Sequence, residues 1–226
     1  HGDEYKERQL YIDANKLAKE RENQEIELST RIKIVWLDLG IGLIDLPEAI
    51  EKARRLLSDA TIAEDTIRMI MAYNALASFH INKGKNDEAY EYFYDALKIS
   101  DNKKYYLERA TILNNLGLHK TDLGLLDEAI KDFKEGLNLI ENKREYRIQT
   151  RLINNLAYLY NRESTKRDSS FYYFSKTLEL GKIIKEPQLH IVAYTNMAVY
   201  YNLEGDYAKC RMYYDSAINV VEKHDM

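Results

Sequence analysis

Asn74, Asn114 and Asn154 stand at steps of 40 residues. Each carboxamide offers a donor and an acceptor together, which is what a surface needs in order to hydrogen-bond an extended peptide backbone. The other polar groups do not assemble into a reactive constellation. His80, His119, His190 and His224 lack the i, i+4 pairing and nearby acidic partners of a helical metal site, and read as helix-surface or hydrogen-bonded core residues. Gly40-Ile41-Gly42 has no third glycine, no preceding strand and no following Lys-Ser/Thr, so it is not a phosphate cradle. Ser100 and Lys103 have the bare spacing of a Ser/Lys nucleophile pair but fall in a polar turn. Cys210 occupies a small-residue position, where burial rather than reactivity is expected. The sequence therefore predicts no catalytic residue, no metal ligand and no cofactor, and the chain reads as a non-enzyme.

The elements that must position the asparagines are helices. With 9 Gly and 2 Pro in 226 residues, helix-breaking residues are scarce, and almost no segment alternates with the period of a half-buried strand. Apolar stripes at i, i+3, i+4 and i+7 predict helices at about 4–22, 25–43, a third ending near 58, 62–82, 87–99, 105–122, 126–140, 145–162, 169–180, 187–203 and 207–221. The second is apolar on more than one face, which implies burial on two sides. Asp45 reads as the cap of the third, with Pro47 in its first turn. A formal net charge of −4 leaves no electrostatic footprint for nucleic acid or an anionic membrane. No run of about 18 apolar residues predicts membrane insertion. The single cysteine rules out an intramolecular disulfide without deciding the compartment, so cytoplasm and periplasm both stay open.

Subtraction shows that the helices repeat. The small residue of each second helix falls at Ala49, Ala89, Ala129, Ser170 and Cys210, at steps of 40, 40, 41 and 40. Four residues later stand Ala53, Phe93, Phe133, Phe174 and Tyr214. On the first helices the matching pairs are Trp36-Leu37, Leu76-Ala77, Leu116-Gly117, Leu156-Ala157 and Met197-Ala198. The one extra residue lies between Ala157 and Ser170. The chain is thus expected to be one domain over 1–226, made of a partial repeat at 1–24 and repeats at 25–60, 61–102, 103–143, 144–184 and 185–226. Such an array acts through its surface rather than through a buried catalytic cleft.

A large residue four before a small one, small residues facing each other across a Gly turn, then an aromatic and a further small residue resemble the tetratricopeptide repeat. Tyr73, Leu76, Ala77, Gly84, Ala89, Phe93 and Ala96 carry the pattern, and Gly205, Tyr207, Cys210, Tyr214 and Ala217 carry it again. The repeat is longer than the family's usual 34 residues. Lys33, Gly40, His80 and Lys120 stand where large apolar residues are usual. The 40-residue form is similar to arrays in bacterial regulators and motor-adaptor proteins. The resemblance implies an all-α fold, a right-handed α-solenoid of stacked antiparallel helix pairs with about 11 helices and a concave face lined by the first helices.

The resemblance also implies a non-enzymatic scaffold or sensor module that binds a protein or peptide, as part of a larger bacterial regulatory protein. Its groove positions become Asn74, Ser78 and Asn82; Asn114, Leu118 and Asp122; Asn154, Tyr158 and Arg162; and Thr195, Val199 and Asn202. Arg151, one turn before Asn154, shares its face. Asn115, Asn155 and Asn196 fall at a position where asparagine is structural in the family. Tyr213, Ala217, Val220 and Val221 leave the closing helix apolar, so the chain is expected either to continue or to form a homodimer through its C-terminal helix. The alternative role is accordingly a structural oligomerisation element acting through terminal helices.

Overall fold

The computed structural model describes residues 2–162, 167–184 and 187–224. Among these the fold is all-α, with eleven α-helices and one short 3-10 helix (Lys103–Tyr105). The chain comprises two compact units, 1–112 and 113–226.

The first unit begins with α1 (Gly2–Glu20), α2 (Gln24–Gly40) and α3 (Leu46–Ile62), followed by α4 (Thr66–Asn82) and α5 (Asn86–Ile99). Consecutive helices pack on one another, and α2 also touches α4. Small residues set these contacts. Ala49, Ala60, Ala72, Ala77, Ala89 and Ala96 are wholly excluded from solvent, and a methyl at a crossing point lets two backbones approach. Aromatics fill the space at the next turn: Phe79 and Phe93 are buried, and Trp36 lies 4.5 Å from Phe79, centroid to centroid. Asp45 caps α3 as expected, its carboxylate accepting from the Glu48 amide at 2.8 Å.

Two helix boundaries of the first unit differ from those the sequence predicts. Helix α3 does not stop near 58 but continues to Ile62, because Ala60 still packs inside the unit. Helix α4 consequently starts at Thr66, with Asp65 accepting from the Arg68 amide. Helix α2 packs on α1, α3 and α4, the two-sided burial its composition implies, with Ile26 exposed in its first turn.

The second unit takes in the latter part of α6 (Tyr106–Asp122), then α7 (Leu126–Leu139), α8 (Tyr146–Arg162), α9 (Arg167–Ile184), α10 (Pro187–Leu203) and α11 (Tyr207–Lys223). Helix α8 meets α7, α9 and α10, and α10 also packs on α9 and α11. Gly117, Ala129 and Ala157 occupy crossing points, as the repeat predicts, with Phe133 and Phe174 buried beside them. Helix α9 continues past the expected end near 180 to Ile184, so Gly181 lies inside it. The His190 ring occupies the space a side chain there would need, 2.7 Å from an ideal Cβ.

The turns inside helix pairs place Gly42, Gly84, Gly124 and Gly205 at positive φ, where a side chain is disfavoured. Turns elsewhere use Glu22, Glu64 and Asn142 in the same left-handed region. At Gly84 the chain closes with Lys85 N–H donating to His80 C=O at 2.9 Å, and at Glu64 with Asp65 N–H donating to Ala60 C=O at 2.9 Å. These six-residue closures satisfy carbonyls that the helix end would otherwise leave open.

A side-chain pair recurs inside successive helix pairs with very different chemistry. His80 faces Tyr92 at 5.1 Å between ring centroids. One repeat later the same positions hold Lys120 and Asp132, an ion pair of 2.7 Å. Later still they hold Tyr160 and Tyr173, stacked at 5.7 Å, and Tyr201 and Tyr213, stacked at 5.5 Å. Two of the residues that break the family pattern fall in this contact. Lys120 is charged at an apolar position because its partner is an acid. His80 is not the hydrogen-bonded core residue expected: it is buried, and neither ring nitrogen has a hydrogen-bond partner.

Candidate functional site

In the second unit the first helices of successive pairs, α6, α8 and α10, are joined by a ladder of asparagines. Asn155 Nδ2 donates to Asn114 Oδ1 at 2.9 Å, and Asn196 Nδ2 donates to Asn154 Oδ1. Asn114 Nδ2 in turn donates to Asn115 Oδ1 at 3.2 Å. Asn155 and Asn196 thus have the structural role their positions suggested, and they exert it on the very residues read as ligand contacts. Asn114 is only 3% exposed, so its amide braces the stack. Asn154 is partly exposed and accepts from Asn196, which leaves its own NH2 group directed at no carbonyl or carboxylate among the described residues.

Beside this ladder is a cavity of about 400 Å³ lined by Asn114, Asn115, Leu118, Thr150, Arg151, Asn154, Asn155, Leu189 and Val192. It brings together four of the expected residues, Asn114, Leu118, Arg151 and Asn154. Arg151 is exposed and makes no ion pair among the described residues, while Leu118 and Val192 are exposed aliphatics. The Thr150 hydroxyl is turned back to its own helix, donating to Tyr146 C=O at 2.8 Å. The cavity can therefore offer a fork for a carboxylate beside a hydrocarbon wall and an amide edge.

The remaining expected residues lie elsewhere. Asn74, Ser78 and Asn82 are on α4 of the first unit, and Ser78 Oγ donates to Asn74 C=O at 3.0 Å. Asp122 is exposed in the last turn of α6. Tyr158 is exposed on α8, and Thr195, Val199 and Asn202 follow along α10, all outside the cavity lining. The side chain of Arg162 is outside those described. Leu189 and Val192 escaped the sequence reading, although the signal was present. One turn back from Asn154 finds Arg151; the same step back from Thr195 finds Val192, and one more finds Leu189.

Two other cavities, of about 260 and 320 Å³, lie against α2 and α3. Their charges are matched within the chain, Arg31 with Asp59 at 2.7 Å and Arg8 with Asp38. No group of three or more His, Cys, Asp or Glu suited to a metal ion occurs among the described residues. Cys210 is buried and free, as its small-residue position suggested.

Stacked helix pairs braced through their first helices, with an apolar and amide-lined cavity between them, define a helical-repeat scaffold. Residues 68–142 match the family model described as tetratricopeptide repeat, and this stretch is a tetratricopeptide-repeat segment. No curated protein matches it by sequence. Among solved structures it is similar to BtubC (BKLC) from P. vanneervenii, at 20% identity and a TM-score of 0.75 over 98% of this chain and 92% of that one. It is also similar to pilF of Pseudomonas aeruginosa, at 22% identity and a TM-score of 0.63 over 85% and 76% of the two chains. Aspartyl phosphate phosphatase F from Bacillus subtilis matches at 14% identity with a TM-score of 0.70, over 92% of this chain and 55% of that one. These likenesses concern the fold. Repeats of this family serve as scaffolds for protein interaction, and among the described residues no helix is long and apolar enough to cross a membrane.

Proposed function

We propose that the second unit binds an extended segment of a partner protein along the faces of α6, α8 and α10, and that the chain acts by binding rather than catalysis. The cavity beside the asparagine ladder carries this reading. Arg151 receives a carboxylate, Leu118, Leu189 and Val192 cover an aliphatic side chain, and Asn154 donates to the segment's backbone. Asn114 supports binding indirectly, by holding Asn155 and hence the spacing of α6 and α8. Peptide arrays would supply ligands, and anisotropy titration would measure their affinity. Arg151→Glu should weaken binding at least about tenfold, or 1.4 kcal/mol, because it sets like charges together at the fork. A folded Arg151→Glu protein with unchanged affinity for the same peptides would refute the assignment. Asn114→Ala should instead lower thermal stability more than it alters contacts.

A second reading, oligomerisation, is favoured by α11, which exposes Tyr207, Met212, Tyr214 and Ile218. Exposed large side chains of this kind mark a contact surface when they lie together. Sedimentation across a dilution series decides it. Association that Ile218→Asp abolishes supports the reading, and a monomer at every concentration removes it.

A further inference from the structure

We propose that the cavity between α3 and the turn from α4 to α5 is a binding site for a small tetrahedral dianion, the phosphate group, with His80 at its floor. The cavity measures about 230 Å³ and is lined by Arg54 and Glu51 from α3, His80 from α4, and Lys83 and Lys85 from the turn. With water occupying about 30 Å³ in the liquid, that volume admits one oxyanion with part of its hydration shell.

The charges are unbalanced in the required sense. Lys85 is paired with Glu88, and Glu51 with Arg55 at 3.0 Å. Arg54 and Lys83 have no ion-pair partner among the described residues, so two cations share the cavity unanswered. The second observation is His80 itself. It is 4% exposed, and neither ring nitrogen meets a hydrogen-bond partner. A buried polar group with no partner calls for an explanation, and a missing ligand is one. The Tyr92 ring packs against the imidazole at 5.1 Å but supplies no charge.

Proton and anion should bind together here. Burial lowers the affinity of His80 for its proton, and Arg54, Lys85 and Lys83 lower it further; Glu88 acts in the opposite direction. Without a ligand the imidazole is therefore neutral around pH 7. A dianion between Arg54 and Lys83 would offset the cations that oppose protonation, so affinity should rise as pH falls. Sulfate separates this from titration of the ligand, because sulfate keeps its charge across the range.

The test uses the whole chain at fixed ionic strength held with chloride, with calorimetry and unfolding midpoints read at pH 6 and pH 8. Inorganic phosphate and sulfate should both raise the unfolding midpoint, and sulfate should do so more at pH 6. Arg54→Ala with Lys83→Ala alters only exposed side chains and should weaken sulfate binding about tenfold or more by removing both charge-assisted contacts. His80→Phe should retain weak binding and lose its pH dependence. Absence of binding, or equal binding by the Arg54/Lys83 double variant, would overturn the site. A phosphoserine peptide and its unphosphorylated form distinguish the source. Tighter binding of the phosphopeptide than of free phosphate assigns a modified side chain, and the reverse assigns the free ion.

Discussion

Lys120→Met should destabilise the chain by about 3–5 kcal/mol, the cost of leaving a buried charge without its partner. Lys120 and Asp132 are both largely buried and lie 2.7 Å apart, with Glu128 3.5 Å from the same ammonium. Burial holds the Asp132 carboxyl above its ordinary value of 3.8, Glu135 and Glu128 add to that rise, and Lys120 opposes it. The sign of the pH dependence follows. The folded state holds the Asp132 proton more tightly than the unfolded chain does, so ionisation of this group costs stability as pH rises from 3.8 through the raised folded value. Without Lys120 that rise is larger, and the deficit of the variant should grow with pH and shrink in acid. Chemical denaturation at several pH values measures it. A deficit that is flat with pH would show that Asp132 is not the source. Lys120→Tyr with Asp132→Tyr should recover most of the loss, because the two later repeats place stacked tyrosines at these positions. Replacing a buried ion pair with well-packed side chains is often neutral or favourable.

Phe133→Ala should also cost about 3–5 kcal/mol, since the ring is wholly buried and its loss leaves a cavity. Gly117→Ala should cost about 1–3 kcal/mol for the opposite reason, overpacking. A methyl at Gly117 would come within 2.5 Å of Phe133 Cε1 and 2.9 Å of Cδ1 and Cζ. The two changes should therefore be strongly non-additive. In the Phe133→Ala background the added methyl projects into the vacated space, and Gly117→Ala becomes neutral or stabilising. A double-mutant cycle on unfolding free energies gives the coupling. Additive losses would mean that the glycine is required for something other than room for the ring.

The register behind both predictions was readable without coordinates. Steps of 40 in the small and aromatic residues located the helix pairs, because close packing at a crossing tolerates only Ala, Gly, Ser or Cys and needs a large ring one turn away. The end of α3 was not readable. Ser58 and Asp59 look like a break, yet the packing of Ala60 carries the helix to Ile62, since burial outweighs a few tenths of a kcal/mol of local preference.

By itself, the sequence determined the helical class and the repeat, because these follow from side-chain size and period along the chain. Only the tertiary structure decided what the polar residues do. Asn114 and Asn154 have the same register in the sequence and each accepts from an asparagine of the next first helix, but the fold buries the first and leaves the second partly exposed. Lys120 breaks the apolar pattern because Asp132 lies opposite it on the next helix, and the buried His80 ring has no hydrogen-bond partner around it. A polar side chain's role depends on what lies within about 3 Å of it, and that neighbour belongs to another helix whose distance along the chain gives no warning.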